Sequence, residues 1–357
     1  MILVTGGTGF VGGEIVRELL GLGYKVRVLA RNPQKAARLA HLPGVEIVAG
    51  DALKPETLPA AMNGVEAVIH LIGIIAETPQ MSFAQAHLKA TCHVLAAAKQ
   101  AGVTRWIQMS AAGTRPHAAS RYHMTKWEAE ELVRHSGLDW TIFRPSLIYG
   151  YDKRDRILNM LRFAVSGPLL PLLDGGLPLV QPVSLREVAR SFARAPSSAA
   201  SLGREFDLVG PVPLSWREMV FKVARAQNRS VIYEDIPILL ILRIFLWLVI
   251  GFLPLIIIAG LWLGRLPLAC AEITALAEVA LLLVANRWKQ LIVFNVPSGQ
   301  VQMLALGWDA AVPRQLRIGE QLKMAIEDNV GDPLPAAAAF DYVPESFDTG
   351  LARFDYL

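Results

Sequence analysis

Charge is what this 357-residue chain has little of: Asp, Glu, Lys and Arg together make up 18% of it, and the mean hydropathy is +0.38. That is too oily for a simple soluble enzyme, so part of the surface is expected to face something other than water. The net charge of +4 is small and scattered, which gives no sign of a nucleic-acid partner. Cysteine is scarce as well. Cys92 and Cys270 stand far apart without metal-ligand spacing, which argues against a disulfide framework or a metal site and for a reducing compartment. No internal repeat or low-complexity linker breaks the chain, and a folding element beginning at residue 2 predicts no signal peptide. The length suits a doubly wound domain with a smaller second one.

What is present begins at once. Ile2, Leu3 and Val4 form a short apolar run that reads as a buried parallel strand, and glycines follow at 6, 9 and 12. Ile15, Leu19 and Leu20 then fall on one face at helical spacing, with Gly21 and Gly23 as stop signals. Strand, glycine turn and helix aim a helix N-terminus at a pyrophosphate, with Gly6, Gly9, Phe10, Val11 and Gly12 as the contacts. A glycine triplet alone is also an ordinary turn; the strand before it and the second strand after it, Lys25 to Ala30, favour dinucleotide binding.

Further strands are expected at Val45–Val48, Ala67–Ile72, Arg105–Met109 and Trp140–Phe143, with helical stretches between them. Alternation of this kind implies an α/β fold: a Rossmann-type, doubly wound parallel sheet covered on both faces. The end of the second strand reads Leu29-Ala-Arg-Asn-Pro-Gln-Lys35, and no acid occurs between Lys25 and Leu42. An acid there would hold the ribose hydroxyls of NAD, so Arg31 and Lys35 favour NADP (NADPH). A solvated loop cation is the plainer account of Arg31. Asp51 is placed to accept from the adenine amino group, or to cap a helix; Ala52 beside it and Leu71 at the end of the fourth strand complete the expected cofactor contacts.

Tyr122 and Lys126 are four residues apart, so on a helix they share a face. A cation near a phenol lowers its pKa toward neutrality and makes it a usable proton donor or acceptor for a carbonyl/alcohol pair. Lys126 could also bond the nicotinamide ribose.

Together, Thr5 to Gly12, Asp51, Tyr122/Lys126 and Arg144-Pro-Ser-Leu-Ile-Tyr-Gly150 resemble the extended and atypical short-chain dehydrogenase/reductases over roughly residues 1 to 230. The resemblance implies that Tyr122 is the acid/base, that Lys126 binds the ribose and depresses the tyrosine pKa, and that Pro145 lies near the nicotinamide. Ser110-Ala-Ala-Gly113, Trp140 to Ser146 and His87 look most like the branch that contains the nucleotide-binding accessory subunit of respiratory complex I and its bacterial relatives. Two departures stand out. Ser110 is followed by Ala111 and Ala112 where the family places its catalytic hydroxyl, so Ser110 is assigned to cofactor or substrate and Thr114 is a distant substitute. His87 stands where the family often has Asn, which puts a proton relay through that helix in doubt; a helix-face histidine bonded to backbone is the plainer reading.

Residues 1–150 are read as the NAD(P)-binding domain and 151–235 as a small substrate-side lobe interwoven with it. In that lobe, Ser184 and Ser215 are helix caps and Asp152 to Arg156 is a solvated loop or an anion pocket. Residues 236–290 form an apolar helical insertion and 291–357 a tail, read as a surface strap. The oil is concentrated in Ile244 to Gly264, 21 residues without a charge between Arg243 and Arg265, with Trp247 and Trp262 near its ends. The length allows a membrane span, Gly251 and Pro254 would kink it into interfacial helices, and a buried or oligomer-facing helix is the third reading. The expected place is cytoplasmic, peripheral or monotopic at the inner face of the cytoplasmic membrane.

Three functions are carried forward. The first is an oxidoreductase for a small lipophilic carbonyl, alcohol or quinone-related substrate; the second is a non-catalytic NADPH-binding accessory or assembly protein of a membrane complex, in a protein complex or homo-oligomer. Nucleotide-sugar epimerase or dehydratase chemistry is the third, without a specific motif.

Overall fold

Ile2–Thr5 (β1) shows how the pattern becomes a layered fold: Ile2 and Val4 enter one hydrophobic core and Leu3 another, because successive side chains of a strand point to opposite faces. The same division holds for Val28 and Leu29 in Val26–Ala30 (β2), for Ile69 and Val68 in Ala67–His70 (β4), and for Ile107 and Trp106 in Arg105–Met109 (β5). A sheet with oil on both faces must be covered on both. The computed structural model describes residues 1–150, 155–167, 169–234, 290–299, 309 and 319–353.

With Val45–Ala49 (β3), Asp139–Pro145 (β6) and the strand Arg204–Leu208, these segments make one parallel seven-stranded sheet. Its order is Arg204–Leu208, β6, β5, β4, β1, β2, β3. The order reverses between β1 and β4, and a ligand of such a sheet binds beyond the carboxyl ends of the strands at that point. Along the chain lie the helices Phe10–Gly21 (α1), Ala37–Ala40 (α2), Pro59–Met62 (α3), Ala90–Gln100 (α4) and Arg121–Arg134 (α5). The helix Leu185–Arg194 packs beside α1 and opens at Ser184, the expected cap, in a reciprocal capping box with Glu187.

The chain divides into two compact units. The first takes its described residues from 1–158, 178–214 and 302–355. Its core includes Ala336, Phe340 and Tyr342, and the Tyr342 hydroxyl donates to Val209 O at 2.6 Å. The tail is therefore no surface strap over these residues. Its run of alanines hides three aromatics, Phe340, Tyr342 and Phe347, all less than 5% exposed.

The second unit contains a parallel three-stranded sheet, ordered Ser230–Glu234, Gln290–Val296, Leu169–Leu173, and the helix Trp216–Ala226. Ser215 caps that helix: its hydroxyl accepts from Glu218 N at 3.1 Å, while the Glu218 carboxylate accepts from Ser215 N at 2.7 Å. Of the loop read as an anion pocket, residues 152–154 lie outside the described residues. Asp155 is buried and structural: its carboxylate accepts from the N–H groups of Gly150, Ile157 and Leu158 at the start of the helix Arg156–Ser166. The apolar segment 244–264 and Cys270 also lie outside the described residues. Among the described residues no helix is long and apolar enough to cross a membrane.

Candidate functional site

The chain leaves β1 through Gly6, whose φ of +74° is a conformation that favours glycine. Gly9 N donates to Gly6 O at 3.0 Å and α1 starts at Phe10, with no side chain capping it. A Cβ on Gly12 would stand 2.3 Å from Gly6 O and 2.7 Å from Gly7 Cα. Only glycine lets the first helical turn close onto the loop in this way, and the cradle so formed fits a pyrophosphate held by backbone N–H groups. Leu71, on the turn after β4, lies on the other side: a Cβ on Gly6 would be 3.2 Å from its carbonyl carbon. Gly6, Gly9, Phe10, Val11, Gly12 and Leu71 are thus brought to one crevice, at the switch in strand order.

At the end of β2, Arg31 is exposed, and Lys35 lies in the short turn Pro33–Ala36 that follows, which Asn32 opens by accepting from Gln34 N at 3.0 Å. Asp51 holds its own turn: Oδ1 accepts from Leu53 N at 3.0 Å, and Asp51 N donates to Thr57 Oγ1 at 2.9 Å. Ala52 beside it is buried.

Lys126 and Tyr122 both sit on α5, which begins behind the Ser120 cap. Lys126 is 4% exposed and its Nζ donates to Met109 O at 3.1 Å; burial pushes its pKa down to about 8, against the pull of Glu130. The Tyr122 ring has the rings of Phe83, His87 and His123 around it, with centroids 5.9, 5.4 and 5.1 Å away. Burial pushes the phenol up to about 12. The spacing predicts a phenol drawn toward neutrality, and the structure corrects this for the free protein. Loss of hydration is the cause, and the Lys126 ammonium is turned to the Met109 carbonyl.

Ser110 is buried; its N–H donates to Phe143 O at 2.7 Å and its hydroxyl to Thr114 Oγ1 at 3.4 Å. Thr114, remote in the sequence reading, is carried back by a turn through Gly113 and lies beside Ser110. Ala112 N donates to Pro145 O at 2.9 Å, which ties Pro145 to the same loop.

Two groups of residues escape sequence reasoning. Glu327 reaches back about two hundred positions: Oε1 accepts from Arg115 Nη2 at 2.9 Å and Ala119 N at 3.0 Å, and Oε2 lies 2.9 Å from His123 Nδ1. Ser146 Oγ donates to Asn329 O at 2.7 Å, so residues 327–329 fasten onto the loops after both β5 and β6. The second group is the buried His70 with Thr5 and Thr91, which join the His87 that the sequence singled out; parallel pairing of β1 with β4 sets Thr5 beside His70.

These imidazoles make stability depend on pH. Burial, then the charge of Lys126, pushes His70 from 6.5 down to about 3 and His87 down to about 2. With the folded pKa below the unfolded one, the unfolded chain binds more protons as pH falls. Stability present at neutral pH is then lost from about pH 6.5 downward, by about 2 kcal/mol per imidazole at pH 5. Glu187, pushed up to about 7 chiefly by burial, has the opposite sign: its contribution is complete below about 4.5 and is lost as pH rises through about 7. Glu187→Gln is therefore expected to steepen the acid-side loss, by about 1–2 kcal/mol at pH 5 after allowing for water at that site. Urea unfolding at pH 7.5 and 5 measures it, and identical pH dependence in variant and parent would refute the assignment.

Residues 6–159 match the profile of a family described as NAD(P)H-binding. The (4-alkanoyl-5-oxo-2,5-dihydrofuran-3-yl)methyl phosphate reductase of Streptomyces griseus is 31% identical over 242 residues, covering 67% of this chain and 78% of that protein. The mitochondrial NADH dehydrogenase (ubiquinone) 1 alpha subcomplex subunit 9 of Arabidopsis thaliana is 33% identical over 223 residues, 60% of this chain and 55% of that one. Among solved structures, the NADPH-dependent quinone oxidoreductase of Escherichia coli complexed with NADPH superposes with a TM-score of 0.66, covering 99% of both chains at 15% identity. That last likeness is one of fold.

Proposed function

This chain belongs to the NAD(P)H-binding family of short-chain dehydrogenases/reductases, and from that premise we propose that it is an NADPH-dependent reductase of a lipophilic carbonyl or quinone-related compound. The observation that carries the reading is the placement of Tyr122 and Lys126 on one helix, with the buried Lys126 ammonium held at the end of β5 by Met109 O. A protonated phenol can give its proton to a substrate oxygen. In this reading Gly6, Gly9, Phe10, Val11 and Gly12 hold the pyrophosphate, and Asp51 and Ala52 the adenine. Arg31 and Lys35 hold the ribose phosphate, and Leu71, Lys126 and Pro145 the nicotinamide side. The cofactor, when bound, supplies a hydride. Lys126, still an ammonium below about pH 8, favours negative charge on the phenol oxygen as its proton leaves, and the Ser110–Thr114 hydroxyl pair polarises the carbonyl.

Preference for NADPH is tested at the ribose. Arg31→Asp removes a charge-assisted contact worth roughly 1.5–3 kcal/mol, so NADPH affinity should fall about tenfold or more while NADH affinity does not. Calorimetric titrations giving the same ratio of affinities in variant and parent would refute it.

The place of action is the inner face of the cytoplasmic membrane, held through residues 244–264. Their lack of charge, flanking arginines and terminal tryptophans are what a lipid interface selects. Full-length protein is expected in the membrane fraction after high-salt washing, and a chain lacking 244–264 in the supernatant. Full-length protein that is monomeric in the supernatant without detergent would count against this location. A second reading, an NADPH-binding accessory module of a membrane complex, is favoured by Ala111 and Ala112 and by the similarity to a complex I subunit. NADPH that raises the melting temperature without any turnover over a broad carbonyl screen would select it.

A further inference from the structure

Beneath the glycine turn runs a chain of hydroxyls and imidazoles, all at most 6% exposed: Thr5, His70, Thr91, His87 and Thr125. Thr5 Oγ1 lies 2.9 Å from His70 Nδ1, His70 Nε2 lies 3.2 Å from Thr91 Oγ1, and His87 Nδ1 lies 2.8 Å from Thr125 Oγ1. Thr91 also donates to His87 O at 2.5 Å and Thr125 to Arg121 O at 2.8 Å.

His87 Nε2 faces the turn after β4, 3.2 Å from Ile74 O and 3.3 Å from Ile74 N. A Cβ on the neighbouring Gly73 would stand 3.6 Å from His87 Nε2 and 2.9 Å from Lys126 Nζ, so the imidazole and the ammonium converge on one point of the backbone. His87 is carried there by a π-helical turn, Ala84–Lys89, a widened form of helix that recurs at functional sites. Its low pKa keeps the ring neutral beside Lys126. A charged ring would set a second cation beside the ammonium.

We propose that His87 is a positioning residue for the nicotinamide half of the cofactor. It ties the Gly73–Ile74 turn to α5 through its two nitrogens and so fixes where Lys126 Nζ stands. The proposal rests on the NADPH-binding reading.

NADPH and 2′,5′-ADP, which keeps the adenine end and lacks the nicotinamide and its ribose, are titrated calorimetrically into the full-length protein and three variants. His87→Leu should weaken NADPH about tenfold and leave 2′,5′-ADP unchanged. His87→Gln, whose amide can still bond the Ile74 backbone, should recover most of the loss. Gly73→Ala keeps the whole hydrogen-bonded chain and sets a methyl against the flexible end of Lys126, so it should reproduce the His87→Leu result. It also carries the test if His87→Leu does not fold. Equal weakening of both ligands in Gly73→Ala, or unchanged NADPH affinity in both His87→Leu and Gly73→Ala, would overturn the proposal. Wild type that fails to bind NADPH would overturn the cofactor reading itself, before any variant is compared.

Discussion

Tyr122→Phe is expected to keep NADPH affinity close to that of the parent and to lower turnover by about 10²–10⁴, the usual contribution of a positioned proton donor. The substitution removes the hydroxyl and keeps the ring that packs among Phe83, His87 and His123. The pH profile gives a second check. Because the phenol holds its proton until about pH 12, the alkaline fall in kcat should come earlier, as Lys126 loses its charge near pH 8. Lys126→Met should remove that limb and weaken NADPH as well. Undiminished turnover in Tyr122→Phe would eliminate it as the donor and leave the Ser110–Thr114 pair as the acid to examine.

Gly12→Ala should do the most damage to cofactor binding. The added methyl would meet Gly6 O and Gly7 Cα, which are backbone atoms of the loop itself and cannot swing aside like a side chain. The loop or α1 must move, at a cost of about 1–3 kcal/mol in stability. The N–H groups that would face the pyrophosphate move with it, so NADPH affinity should fall by about tenfold at least. Gly21→Ala on the same helix has nothing within 4 Å of the new methyl and should stabilise by about 0.5–1 kcal/mol. Calorimetry and thermal melts of the pair measure both effects. A Gly12→Ala protein that binds NADPH like its parent would mean the cofactor does not lie on this turn.

The sheet was legible because its strands are short apolar runs between helical segments, and such runs carry their own punctuation. β1 to β6 appear within a few residues of where the pattern puts them; β4 ends at His70, two residues before the expected Ile72, because the chain there turns toward the site. The glycine turn was legible for the same local reason. Tyr122 and Lys126 share a helix as their spacing says, yet the protonation of Tyr122 was misjudged, since desolvation depends on Phe83, His87 and His123, and sequence spacing carries no measure of burial. Glu327, Asn329 and Phe340 were invisible because partners about 130 to 210 positions away leave no periodicity. Thr114 shows the same limit at short range: one left-handed glycine, Gly113, decides whether its hydroxyl is near Ser110.

Phe340 has a bearing on how the molecule is made. Its ring sits with Phe143 and Phe206 at centroid distances of 5.1 and 5.0 Å, and Phe143 meets Phe192 at 4.6 Å. The sheet that starts at residue 2 therefore has its core completed by a residue near the far end of the chain. During synthesis, strands and helices up to Leu208 emerge first, and the part of Phe143 and Phe206 that Phe340 covers stays open until residue 340 has left the ribosome. In that interval the nascent chain is a sheet with an oily patch, the state in which trapping and aggregation compete with folding and a chaperone has something to hold.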